Sequence, residues 1–156
     1  MRNDSEKFVA VEYILLAEDD EDDYEIFDEA FNETNLNLRL IHVKDGVELM
    51  DFLSIENTPL PEMIFLDLNM PYKNGFECLH ELKSNERLKE IPVIIYTTSN
   101  NPADIEKSKL AKAHLYITKP GDFSKLKKIV HKVLVTNFVK NLPIANNDNR
   151  FFVFSE

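Results

Sequence analysis

Cysteine occurs once in the 156 residues, as Cys78, so no internal disulfide can form. Without a second cysteine nearby or a His-rich spacing it also makes a poor zinc ligand set, and Cys78 reads as a packed helix residue. Long apolar runs are missing as well: none reaches eighteen residues, so no membrane-spanning helix is expected. The N-terminal MRNDSEKFVAVE lacks the basic start and apolar stretch of a secretory signal. Internal repeats and low-complexity tracts are absent too. These gaps lead us to expect a soluble, cytoplasmic protein with no membrane partner. With 156 residues and 44% hydrophobic content, the chain suits one domain with one substantial core.

The formal charge of −10 is unevenly spread. Residues 18–33 hold ten Asp or Glu and no Lys or Arg, whereas 119–140 hold six Lys and one acid, Asp122. An excess of acid opposes the phosphate attraction that dominates nucleic-acid binding, so no nucleic-acid partner is expected. The lysine-rich stretch reads as the solvated face of a C-terminal helix.

Five short apolar runs recur with helical patterns between them: Tyr13 to Ala17, Leu38 to Val43, Met63 to Leu68, Val93 to Tyr96 and Leu115 to Ile117. Alternating strands and helices imply a parallel sheet, and near-continuous apolar strands imply helices on both faces. The expected fold is therefore α/β and doubly wound, with five parallel strands. Amphipathic stretches follow Asp45 and Asn74. Asn101, Pro102 and Asp104 read as cap, first-turn proline and early acid of a fourth helix. Asp122 caps a last helix with the stripe Leu126, Ile129, Val130, Val133 and Leu134.

In open parallel sheets, ligands bind beyond the carboxyl ends of the strands. The residues there are Glu18, Asp19 and Asp20 after the first run, Asp67 after the third, Thr97 and Thr98 after the fourth, and Lys119 after the fifth. Several carboxylates in one crevice repel each other unless a cation is present, and hard oxygen ligands select Mg²⁺ or Mn²⁺. A Lys and a Thr hydroxyl facing those acids suit a phosphoryl group. The acidic run is not an EF-hand: counting from Asp19, position 6 is Tyr24 instead of Gly and position 12 is Ala30 instead of Glu.

The blocks ILLAEDD, MIFLDLNMPYKNGFE, PVIIYTTS and LYITKP, in this order, resemble the receiver domains of two-component response regulators. The resemblance spans Tyr13 to Val139. EDDEDD, together with the expectation of no output domain, makes the chain similar to the stand-alone regulators that serve phytochrome-type sensor kinases. The resemblance implies a CheY-like, flavodoxin-like (βα)5 fold with strand order 2-1-3-4-5. It implies that Asp67 is the phosphoacceptor, with Asp19 a direct Mg²⁺ ligand, Glu18 acting through a water and Asn69 giving its backbone carbonyl. Thr97 and Lys119 would hold phosphoryl oxygens, and Tyr116 matches the family's switch aromatic, turning inward as Thr97 moves. Gly121, where many relatives have an aromatic residue, is a departure that makes the nearby docking surface less transferable. The implied partner is a sensor histidine kinase or a histidine phosphotransfer protein.

Other readings compete. Asp22 and Asp23 read as solvated acids of a helix start, where they complement the dipole. His42, His80, His114 and His131 receive no role. A dehalogenase-type enzyme forming an aspartyl phosphate needs a second Asp two residues on as general acid, where this chain has Asn69. A phosphorylation-independent scaffold is disfavoured by the complete set of acids, Thr and Lys. The expected boundaries are an N-terminal extension over 1–12, the receiver domain over 13–139 and a tail over 140–156. FFVF in that tail would be an aggregation hazard if exposed, so it is expected to pack on the domain or across a homodimer.

Overall fold

A computed structural model describes residues 12–135 and 152–154. Strands β1 (Tyr13–Ala17), β2 (Arg39–Val43), β3 (Ile64–Leu66), β4 (Val93–Thr97) and β5 (Leu115–Thr118) alternate with five helices. The helices are α1 (Glu21–Asn32), α2 (Gly46–Leu53), α3 (Gly75–Ser84), α4 (Pro102–Leu110) and α5 (Phe123–Val135). A last strand, β6 (Phe152–Phe154), completes one parallel sheet in the order β2-β1-β3-β4-β5-β6. The doubly wound fold and the order of its first five strands are those expected. The sixth strand corrects the expected count of five.

Period-two alternation divides the core between the two sheet faces. Ile14, Leu16, Phe65 and Ile94 pack with Phe27 and Phe31 of α1 and with Leu126, Val130 and Val133 of α5. Leu15, Ala17, Ile64 and Leu66 pack with Leu49 and Leu53 of α2 and with Cys78, Leu79 and Leu82 of α3. Burying each large apolar side chain stabilises the fold by about 1.5–3 kcal/mol. Cys78 is buried, as its reading as a packed helix residue requires.

Each helix opens where a short polar side chain can take an orphan amide. Asp20 Oδ1 accepts from Asp23 N at 3.0 Å, and Asp45 Oδ1 from Glu48 N at 2.8 Å. Asn74 and Glu77 form a reciprocal capping box. Asn101 accepts from Ala103 N with Pro102 in the first turn, and Asp122 accepts from Ser124 N at 2.8 Å. The last two are the caps read from the sequence.

β3 is shorter than its apolar run: the Asp67 amide still bonds to Ala17 O, but Leu68 belongs to the loop, where its carbonyl accepts from Gly75 N at the start of α3. Of the tail, Phe152–Phe154 pairs with the chain's own β5, Leu115 facing Phe152 and Ile117 facing Phe154. Phe154 packs against the core on the α5 face, with Lys132 Nζ 5.7 Å from its ring centre. The remainder of the expected N-terminal extension and tail, and residues 136–139 of the expected receiver span, lie outside the described residues.

Candidate functional site

Backbone bonds to neighbouring strands set three chemistry-bearing residues at one level of the sheet's carboxyl edge. Glu18 N donates to Val43 O at 3.0 Å, Asp67 N to Ala17 O at 3.1 Å and Lys119 N to Thr97 O at 2.7 Å. α3 closes behind the middle of the crevice. Gly75 N donates to Leu68 O at 3.0 Å, and a Cβ at Gly75 would stand 2.3 Å from Asp67 O. Only glycine allows that helix start to approach the loop carrying Asp67 so closely.

Lys119 is the hub. Its ammonium donates to Glu18 Oε1, to Asp67 Oδ2 at 3.1 Å and to Asp23 Oδ2 at 2.8 Å. The Lys119 and Asp67 side chains are each 8% exposed and that of Glu18 is fully buried. Glu18, Asp19 and Asp67 offer carboxylate oxygens all within 4.8 Å of one another, with Asp19 on the exposed side. Asn69 N donates to Asp67 Oδ1 at 3.2 Å, so both oxygens of Asp67 are oriented.

The electrostatics follow from this crowding. Burial, reinforced by the neighbouring Asp67 carboxyl, pushes Glu18 up to about 9, with Lys119 acting in the opposite direction. Burial acts to raise Asp67 as well, but the Glu18 carboxyl, the Lys119 charge and the Asn69 amide outweigh it and hold Asp67 below its ordinary value. Burial likewise opposes charge on Lys119, yet its bonds to Asp23 and Glu18 and the charge of Asp67 keep its pKa above the usual lysine value. The crowding thus favours charge on Asp67 over charge on Glu18.

A divalent ion fits this donor set. Among the described residues Glu18 Oε2 is buried with no hydrogen-bond partner, and an orphan carboxyl oxygen beside two further carboxylates is what a hard cation or its water satisfies. Thr97 Oγ1, at the end of β4, is also buried and has no partner among the described residues. Tyr116 is fully buried, and its hydroxyl donates to Ser99 O at 2.8 Å. The ring of Tyr116 thus lies inside the domain, held at its hydroxyl by the loop after β4. Ser99 Oγ in turn donates to Asp104 Oδ2 at 2.6 Å, so a polar chain runs from Tyr116 to the first turn of α4.

Two residues given no part from sequence border the site. Asp23, read as a solvated acid, has a side chain only 33% exposed and contacts Lys119. A signal existed, since Asp23 lies on the stripe of α1 that continues through buried Phe27, Ala30 and Phe31. His42 stacks on Tyr24 with ring centres 4.0 Å apart, and its Nε2 lies 2.7 Å from Glu18 O. A carbonyl only accepts, so this nitrogen carries the proton. Asp22 is exposed, as read; His114 meets Val93 N through Nδ1 at 3.2 Å.

Residues 14–131 match the family model described as "Response regulator receiver domain". The response regulator Rcp1 of Synechocystis sp. is 39% identical over 124 residues, 77% of this chain and 84% of that protein. The crystal structure of the phosphorylated cyanobacterial phytochrome response regulator RcpA superposes with a TM-score of 0.75 at 36% identity, covering 82% of this chain and 96% of that one. The Mn²⁺-bound form of Rcp1 gives a TM-score of 0.74 at 34% identity over 86% of this chain and 99% of that one. By its matched span, its relatives and its fold, this chain belongs to the family of response regulator receiver domains.

Proposed function

We propose that Asp67 accepts a phosphoryl group from a phosphohistidine of a sensor histidine kinase or histidine phosphotransfer protein, and that the aspartyl phosphate biases a partner-binding surface. The observation that carries this reading is the convergence on one buried aspartate of a lysine ammonium and a carboxylate group able to hold a cation. An Asp67 oxygen forms the new P–O bond as the P–N bond to histidine breaks, and the ring nitrogen keeps the electron pair. Mg²⁺, or Mn²⁺ as in the Rcp1 crystal, would be held by Glu18, Asp19, Asp67 and the Asn69 carbonyl and would offset charge on the phosphoryl oxygens. Lys119 supplies a donor to one of those oxygens and Thr97 Oγ1 to another.

The family is one of signalling modules, and we read the chemistry of this chain as the domain's own phosphotransfer and dephosphorylation. Asn69 supports this over a dehalogenase-type hydrolase, because no carboxyl stands two residues beyond Asp67 to protonate a leaving group. The receiver domain is read as 13–139, flanked by the extension 1–12 and the tail 140–156, with a cytoplasmic location. The named relatives RcpA and Rcp1 make a phytochrome-type kinase the proposed donor. Readout runs through the chain Thr97, Ser99, Tyr116 and Asp104: drawing Thr97 toward a phosphoryl oxygen shifts the loop whose Ser99 carbonyl holds Tyr116 and whose Ser99 hydroxyl holds α4.

Incubation with acetyl phosphate and Mg²⁺ should add the mass of one phosphate to the wild type and none to Asp67→Asn. Equal labelling of the two proteins by intact mass would overturn the assignment.

A further inference from the structure

An ammonium has three N–H donors, and in this structure all three donors of Lys119 go to carboxylates. Two of those, Glu18 and Asp67, belong to the group able to hold a cation; Asp23 does not. Asp23 is also held from both sides. Its amide is capped by Asp20 Oδ1, and the next residue, Tyr24, is stacked on His42, which is tied to the Glu18 carbonyl.

From this arrangement we infer that Asp23 is a positioning residue for Lys119. It is the counter-anion that neither the divalent ion nor the phosphoryl group claims, and it draws the ammonium toward α1 and away from the gap between Glu18 and Asp67. A lysine free to settle fully in that gap competes with the cation for the same oxygens. When Asp67 becomes an acyl phosphate, the donor now on its Oδ2 turns to a phosphoryl oxygen while the bond to Asp23 keeps Nζ within reach. The role goes beyond an acid in a first helical turn, because it acts through one named cation.

Only what the ammonium is held ready to do rests on the phosphoacceptor reading; the test does not depend on phosphorylation. In metal-free protein, the Lys119 ammonium signals observed by ¹⁵N NMR should be sharp in the wild type. They should broaden or shift in Asp23→Ala, be partly restored in Asp23→Asn, and be unaffected by Asp22→Ala, which removes an exposed acid one residue away. Mg²⁺ titration completes a double-mutant cycle. Asp23→Ala should weaken Mg²⁺ binding about ten-fold with Lys119 present and less than about two-fold in a Lys119→Met background, about 1.4 kcal/mol against less than half of that. An equal loss in both backgrounds would mean that Asp23 acts only as a nearby charge, and would overturn the inference. So would Lys119 signals that Asp23→Ala leaves unmoved, a readout that stands even where Lys119→Met fails to fold. Failure to take up phosphate from acetyl phosphate would instead count against the phosphoacceptor reading, while the ammonium signals decide the role of Asp23 independently.

Discussion

Single residues at the sheet's carboxyl edge owe their chemistry to neighbours far away in the chain. Charge is favoured on Asp67 and disfavoured on Glu18 although both are buried acids, because Lys119 and Asn69 support it on one while burial and the neighbouring carboxyl oppose it on the other. Residue types and strand ends made Glu18, Asp19, Asp67, Thr97 and Lys119 legible from sequence, since each follows an apolar run. Asp23 was not legible in this way, although it lies on the buried stripe of α1, because an acid in a first helical turn has a sufficient local explanation. The same residue scale carries a pH effect at the opposite end of the sheet. Burial, with the Lys83 charge acting the same way, lowers His114 to about 4 from an ordinary value of 6.5. Between those two pH values the unfolded chain binds a proton that the folded chain refuses, so stability falls as pH drops through this window. His114 should account for on the order of 2–3 kcal/mol of the loss. Urea denaturation at pH 7 and pH 4 should therefore show a smaller drop for His114→Asn than for the wild type; equal drops would mean that the histidine is not held neutral.

Among the elements, the helices were the most legible, because their caps are local: Asn101 and Asp122 accept from the amides their positions predict. Strand ends were less so. The run Met63 to Leu68 is apolar throughout except Asp67, yet β3 stops at Leu66, since Leu68 O turns to the amide of Gly75 at the start of α3. β6 is the element that apolar periodicity alone could not place. From sequence, FFVF needed only to be covered, and the open edge of β5 supplies the hydrogen bonds that make three residues worth ordering. Removing residues 151–156 should lower stability by about 1–3 kcal/mol, a partly buried Phe154 and a short ladder set against the entropy of ordering them. An unchanged urea midpoint would show that β6 contributes nothing; increased aggregation of the truncated chain would show the exposed edge of β5 at work.

For the whole molecule, the two core layers and the crowded acids pull in opposite directions. The layers bury every residue of β1, β3 and β4, whereas the crevice gathers Glu18, Asp23 and Asp67 around one lysine, with Asp19 beside two of them. A cation that binds only the folded crevice stabilises the entire fold by mass action, by about 2.7 kcal/mol at one hundred times its dissociation constant. Mg²⁺ should thus raise the melting temperature by several degrees in the wild type and by much less in Asp19→Ala, whose lost carboxylate lies at the exposed rim. Equal shifts in the two proteins, followed by calorimetry, would place the ion elsewhere. Among the described residues no helix is long and apolar enough to cross a membrane, in keeping with the short apolar runs.

Local patterns alone determined the alternation of strands and helices, the caps that start the helices, and the chemistry-bearing residues gathered near the strand ends. Period two, period 3.6 and the pairing of a cap side chain with an amide are all contained within a few neighbouring residues. Tertiary structure alone decided on which carboxylate charge is favoured, that Tyr116 bonds to Ser99, that Asp23 meets Lys119, and that Phe152–Phe154 becomes a sixth strand. Each of these depends on distances between segments far apart in the chain, and electrostatic and hydrogen-bond energies are set by such distances and by burial, which no local pattern carries.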